Sequence, residues 1–233
     1  MSENGSSFVQ NLYDFLLRTY GPQGWWPVLR ESPNGELESF YHVSDDSYPQ
    51  TPAQRFEICV GSILTQNTAW KQANSALKAL YKKNLLTPQA LLAESPSRIA
   101  ELIRPAGYFN VKSRKLAAFS EFYIQCNGKT PSRGELLRVW GVGPETADSM
   151  LLYAWGVPSF VIDAYTRRIL AHAGVLPPEK SYNNAKEFFE ANLPAHVTLF
   201  REYHALLVEH GKRHYSRKPY GVCDPFPKTL SIF

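Results

Sequence analysis

At 233 residues, 44% of them hydrophobic, the chain can build one or two small packed domains and no more. Charged residues at 20% and aromatics at 13% exclude a disordered tail, and a net charge of +4 suits a polyanionic partner without proving one. The three cysteines, Cys59, Cys126 and Cys223, include no C-x-x-C pair, which excludes a four-cysteine zinc ribbon or iron–sulfur cluster and argues against a disulfide framework.

In chain order, the start Met1 to Val9 is polar and has no secretory core. No run approaches the roughly 20 apolar residues of a membrane span, so the expectation is a cytoplasmic chain that binds no membrane. Tyr13 to Tyr48 is rich in aromatics and turn residues. Thr51-Pro52-Ala53-Gln54 reads as a capping box with Pro at the first helical position. The helix it opens carries a stripe of Phe56, Val60, Ile63 and Leu64. A further helix is predicted from Trp70 to Lys83. Thr87-Pro88 and Ser95-Pro96 start two more, the second ending at Gly107. Lys112 to Tyr123 follows, then a short helix capped by Ser132 and Glu135 that ends near Trp140. Pro144 starts a helix reaching Trp155. Ala164–Ala173, Asn183–Asn192 and His196–Glu209 complete the set, before an irregular basic tail from Gly211 to Phe233. The single strand-like run, Ser159 to Ile162, is too short to build a sheet. The expected fold class is all-α.

The segment Leu137-Arg138-Val139-Trp140-Gly141-Val142-Gly143-Pro144-Glu145-Thr146-Ala147 packs a short helix, a G-V-G turn and a second helix with no spare residues. Its glycines permit positive φ and close backbone approach. The second helix then offers free amides to phosphate oxygens at its N-terminus. An ordinary αα-turn explains the same residues equally well. Twenty residues beyond Gly143 stands Asp163, which by itself reads as the N-cap of the helix from Ala164.

Together these blocks resemble the endonuclease III superfamily of helix-hairpin-helix DNA glycosylases. L-x-x-V-W-G-V-G-P-E-T-A-D followed by V-I-D-A-Y-T-R-R is similar to the family's hairpin, Gly/Pro-rich loop and aspartate. Ile63-Leu64-Thr65-Gln66-Asn67-Thr68 resembles the helix end whose Gln or Asn enters the duplex. Gly107-Tyr108-Phe109-Asn110-Val111-Lys112 resembles the family's G-x-x-N-x-K segment. The resemblance implies a two-lobed fold, one lobe from residues 49–155 and the other from 1–48 with 156–233, with double-stranded DNA and the flipped base in the cleft between them. It implies that Asp163 is the catalytic carboxylate, stabilising positive charge on the deoxyribose as the base leaves. It assigns Gln66, Asn67, Gly141, Val142, Gly143 and Thr146 to DNA binding. A monomer acting on nucleoid DNA is the expectation.

Two departures refine the implied subclass. Lyase-competent members carry a nucleophilic lysine where this chain has Glu145, and glutamate cannot form a Schiff base, so a monofunctional enzyme is expected. Where many relatives carry a C-terminal cluster loop this chain has only Cys223, so no metal and no cofactor is expected, with a monovalent cation at the hairpin left open. Trp25-Trp26-Pro27, L-T-Q-N-T and an H-G-K tail resemble the 3-methyladenine DNA glycosylase branch. That branch would set Trp25, Trp26, Pro27, Phe56, Lys212 and Lys218 around the base, although Phe56 and the tryptophans also suit a core. Alkylated purines are cationic and stack on electron-rich rings at roughly 0.5–2 kcal/mol each. A protonated Lys212 would repel such a base. Burial could keep Lys212 neutral, carbon dioxide could convert it to an anionic carbamate, or it could contact a phosphate. Competing readings are a glycosylase for uracil, mismatched thymine or an oxidised purine, and a non-catalytic DNA-binding module.

Overall fold

The computed structural model describes residues 3–226 and divides the chain into two compact units. One contains residues 1–25 and 157–233, the other residues 26–156. The expected boundary near residue 48 therefore moves to residue 25. The cause is a two-stranded antiparallel hairpin that the sequence analysis missed, β1 (Val28–Glu31) and β2 (Leu37–Phe40), paired with Val28 opposite Phe40. β1 is held to the first long helix of its unit, α2 (Pro52–Leu64), where the Leu29 amide donates to Glu57 Oε1 at 2.6 Å. Each strand has four residues, too few for alternation to register. The turn signal was present in Ser32-Pro33-Asn34-Gly35, where Gly35 at φ 80° donates its amide to Ser32 O at 2.8 Å.

The rest of this unit is helical. α2 is followed by α3 (Trp70–Tyr81), α4 (Pro88–Ala93), α5 (Pro96–Leu102), a 3₁₀ turn (Arg104–Ala106), α6 (Phe109–Cys126), α7 (Arg133–Arg138) and α8 (Pro144–Ser149). α8 runs on as a π-helical segment, Met150–Ala154. The starts read from sequence hold because each is fixed by a local bond. Thr51, Thr87, Ser95 and Ser132 all accept a hydrogen bond from the amide three residues on, and Glu135 completes a capping box. α2 lies at the centre, with nine consecutive buried residues from Phe56 to Leu64.

The first unit contains α1 (Glu3–Tyr20), α9 (Ala164–His172), α10 (Tyr182–Asn192) and α11 (Val197–His214). α1 was not foreseen, yet Phe8, Leu12 and Leu16 form a buried stripe at helical spacing and Gly21 ends it at φ 68°. α11 also runs beyond its expected end. Gly211 is not a stop there: a Cβ would meet Tyr165 at 2.3 Å, so glycine lets α9 approach α11. The core holds a stacked Phe160–Phe189 pair at 4.1 Å, and Tyr203, whose hydroxyl donates to Val9 O at 2.8 Å.

Beyond α11 the chain folds back as far as Phe226, while residues 227–233 of the expected irregular tail lie outside the described residues. The fastening is polar and buried. His210, fully buried, lies 2.8 Å from the Tyr20 hydroxyl through Nδ1 and 3.1 Å from Asp224 through Nε2. The Tyr215 hydroxyl also donates to Asp224. Burial alone would raise the Asp224 carboxyl, but bonds from His210, Tyr215 and the Phe226 amide outweigh it and hold the group below the usual carboxylate range.

Glu57 shows the opposite balance. It is 7% exposed, and burial pushes its carboxyl up to about 8 despite the Leu29 amide. A carboxyl raised in the folded state contributes stability that is full below its ordinary value near 4.5 and is lost as pH rises toward 8. Glu57→Gln keeps an acceptor for Leu29 without the charge. It should therefore melt several degrees higher than the wild type at pH 8, with the gap closing by pH 4. A gap independent of pH in thermal melts would contradict this account of Glu57.

Candidate functional site

The hairpin is built from α7 and α8. Arg133 pairs with fully buried Asp148 through two bonds, Nε at 2.8 Å and Nη2 at 3.0 Å. Between the helices the Val142 amide donates to Val139 O at 3.0 Å, and Gly141 turns the chain at φ 87°. The Lys115 stem lies 2.4 Å from where a Gly141 Cβ would be, so this position needs glycine twice over. Gly143 differs from expectation, because its backbone is extended at φ −94° and ψ 176°. Val142 is 7% exposed, which leaves its backbone rather than its side chain for a partner.

Gln66 and Asn67, expected to share one role at the tip of α2, sit in different surroundings. The Gln66 amide is committed to the hairpin. Its Nε2 donates to Gly141 O at 3.0 Å and Thr146 Oγ1 at 2.9 Å, and its Oε1 accepts from Lys115 Nζ at 2.5 Å. Asn67 is exposed in a left-handed conformation, φ 51°. Tyr108, which was not singled out, has the same character at φ 46° and 73% exposure. An aromatic after glycine in the G-x-x-N-x-K segment was the available signal.

Helix ends in this region share a property. α3, α6 and α8 have no side-chain cap at their N-caps, Ala69, Tyr108 and Gly143. α2, α4, α5, α7, α9, α10 and α11 each have one. The three bare N-termini follow the three loops that hold Asn67, Tyr108 and Gly141. Each presents main-chain amides with the positive end of a helix dipole. Below them Lys112 is 2% exposed, and its ammonium donates to Leu64 O, Ala106 O and Thr68 Oγ1 at 2.7–2.8 Å. Burial, and then the charge on Lys115, bring its pKa down to about 8.

The other unit holds the carboxylate. Asp163 is the N-cap of α9, and its Oδ1 accepts from both the amide and the hydroxyl of Thr166, each at 2.7 Å. This bidentate hold fixes the half-buried carboxyl in one orientation. His204 on α11, 5% exposed, faces it electrostatically. Burial pulls the imidazole below its ordinary range against the opposing pull of Asp163, so the ring is neutral near pH 7. Sequence reasoning passed over His204. It lies two helical turns before Lys212, and that spacing puts the two on one face of α11. The half-buried Trp25 ring meets His204 edge-on at 6.1 Å, and Lys212 Nζ lies 5.3 Å from the Trp25 centroid.

The expected base-pocket residues therefore divide between the units. Trp25 and Lys212 join Asp163, and Lys218 is exposed in the same unit. Trp26, Pro27 and Phe56 are buried in the other unit. Trp26 is 7% exposed against Trp70 and Tyr153, and Phe56 is 1% exposed between Phe119 and Tyr123. Both serve as core anchors there. Lys212 is exposed and lies 3.9 Å from Glu209, so the burial considered for it is not what the structure shows. Cys59 and Cys126 belong to one unit and exposed Cys223 to the other, and three thiols cannot supply the four ligands of a cubane cluster.

Comparison with known proteins agrees with this geometry. Residues 60–195 match the family described as HhH-GPD superfamily base excision DNA repair protein. The chain is 37% identical to "Putative DNA repair glycosylase MJ1434" of Methanocaldococcus jannaschii over 97% of this chain and 96% of that protein. It is 30% identical to endonuclease III of Sulfolobus acidocaldarius over 72% of this chain and 77% of that one. Among solved structures, endonuclease III trapped as a covalent intermediate with DNA superposes with a TM-score of 0.75 at 20% identity, covering 96% of this chain and 93% of that one. H. pylori 3-methyladenine DNA glycosylase (MagIII) bound to 1,N6-ethenoadenine gives 0.67 at 21% identity, covering 90% and 97%. At such identities the two structures speak for the fold alone. The hairpin, the capped aspartate and these sequence matches agree: the chain belongs to the HhH-GPD superfamily of base excision DNA repair proteins.

Proposed function

We propose that this chain is a monofunctional DNA glycosylase that releases N3- or N7-alkylated purines, of the 3-methyladenine type, from double-stranded DNA. The observation that carries this reading is the Asp163 carboxylate, held by two Thr166 bonds in the same unit as the Trp25 ring. In the reaction the C1′–N bond to the base breaks and the base takes the electron pair. Positive charge builds on the deoxyribose, which Asp163 stabilises at close range. Water adds at C1′ and loses its proton to Asp163 or to solvent. An alkylated purine leaves as a neutral molecule because it begins as a cation, so it needs no strong general acid. A neutral His204 suits that requirement.

The Trp25 ring already attracts a cation, the Lys212 ammonium, and a cationic purine would exploit the same ring. The bare N-termini of α3, α6 and α8 suit phosphate oxygens, and exposed Asn67 and Tyr108 suit entry into the stack left by a flipped nucleotide. In this reading the enzyme acts on nucleoid DNA as a monomer without a metal or cluster. Among the described residues no helix is long and apolar enough to cross a membrane. Exposed Glu145 stands where lyase-competent relatives carry lysine, so the sugar–phosphate strand stays intact.

Asp163→Asn should lower base release from methylated DNA by about 10²–10³ and leave DNA binding nearly unchanged. Full activity in that variant would remove Asp163 from the mechanism. Faster release of uracil or 8-oxoguanine than of 3-methyladenine by the wild type would redirect the substrate assignment. Trp25→Ala should lose excision while melting normally. Trp26→Ala should instead lose about 3–5 kcal/mol of stability, as for a core tryptophan. The reverse pattern would exchange their roles. Borohydride treatment during turnover should trap no protein–DNA adduct, and an adduct in good yield would identify an amine nucleophile that this reading lacks.

A further inference from the structure

Lys112 is a buried cation with no carboxylate partner in its bonding set. Its three acceptors come from three places in the chain: Leu64 O at the end of α2, Thr68 Oγ1 beyond the next turn, and Ala106 O in the 3₁₀ turn before α6. Thr68 Oγ1 also donates to Ala106 O at 2.6 Å, which closes the network. An ammonium has three N–H donors, and all three are used. Leu64 and Thr68 flank Asn67, and Ala106 precedes Tyr108 by two residues. Both residues are exposed and left-handed, as Ser44, Asn84 and Asn127 of the same unit also are, but only these two adjoin the acceptors of Lys112. A left-handed non-glycine residue is held in place by its surroundings, because the conformation itself is disfavoured. One buried ammonium thus ties together the bases of both tips.

We propose that Lys112 is a positioning residue that sets the spacing of Asn67 and Tyr108, so that both enter the duplex together around a flipped nucleotide. The proposal rests on the reading above that these tips face DNA. Lys112 touches neither DNA nor the reacting atoms. The hairpin's own bonds, Arg133 with Asp148 and Gln66 with Gly141 O and Lys115, do not include Lys112, so the hairpin's grip on intact duplex does not depend on it. A buried charge is costly to desolvate, and here it is retained because its three bonds satisfy acceptors from three separate segments at once.

The test compares affinity for a duplex holding a tetrahydrofuran abasic analogue with affinity for the same duplex intact. Lys112→Met, with its melting temperature measured alongside, should keep intact-duplex affinity within about twofold and lower the abasic-to-intact ratio by about tenfold. The fluorescence rise of 2-aminopurine beside the lesion on binding should shrink in parallel. A folded Lys112→Met with an unchanged ratio, or with equal losses on both duplexes, overturns the proposal. Thr68→Val removes one acceptor and carries the same test should Lys112→Met fail to fold. Its ratio should fall by about two- to threefold, and an unchanged ratio counts equally against Lys112. Asn67→Ala and Tyr108→Ala separate this proposal from the reading beneath it. If neither tip variant alters the ratio, the tips do not enter DNA. If they alter it and Lys112→Met does not, only the role of Lys112 fails.

Discussion

Short helices leave most of their backbone unsatisfied, and this constraint organises the protein. The α-helices have 18 residues or fewer, and α4, α7 and α8 have six each. Every helix end exposes about four amides or four carbonyls. Where a side chain closes that end, the helix serves the scaffold. At Ala69, Tyr108 and Gly143 the N-cap side chain makes no such bond. Asp163 caps α9, and the cap is what orients its carboxyl. Lys112 performs the matching task at a C-terminus, where Leu64 O would otherwise lack a partner.

The two units consequently offer different physics. The unit with Asp163 offers a fixed negative charge, a neutral imidazole and an electron-rich ring. All three suit a reaction in which positive charge moves from the base to the sugar. The unit with the hairpin offers amides and exposed tips, which suit a polyanion whose sequence does not matter. The same division separates the paired tryptophans. Trp26 anchors the helical core beside Gly61, where a Cβ would meet its ring at 3.3 Å, while Trp25 remains half-buried beside His204.

Buried polar groups carry much of the specificity in both units. Arg133 with Asp148 joins the hairpin helices, Glu57 holds β1, and His210 with Asp224 and Tyr215 fastens the segment after α11. Each is costly to desolvate and tolerates only one arrangement of its partners, so it selects a geometry more than it adds stability. The His210 group anchors the C-terminal segment through close polar contacts with Tyr20 and Asp224 and the Tyr215–Asp224 hydrogen bond.

The sequence by itself determined the features that depend on a few adjacent residues. Thr51-Pro52, Thr87-Pro88, Ser95-Pro96 and Ser132 with Glu135 set helix starts, because a cap acts over three residues. The G-V-G turn and the aspartate 20 residues later were legible for the same reason. The β-hairpin was missed because strands of four residues have no readable period, and α1 because its polar first turns concealed a stripe that begins at Phe8. Only the tertiary structure decided that Gln66 holds the hairpin while Asn67 is presented, that Phe56 and Trp26 are core, and that Lys212 is exposed. It alone set His204 within the electrostatic reach of Asp163 and bonded Lys112 to Leu64 and Ala106. Those outcomes depend on which distant groups compete for the same donors, acceptors and volume. Residue type and spacing state what a side chain can do, and long-range packing selects which of those bonds it makes.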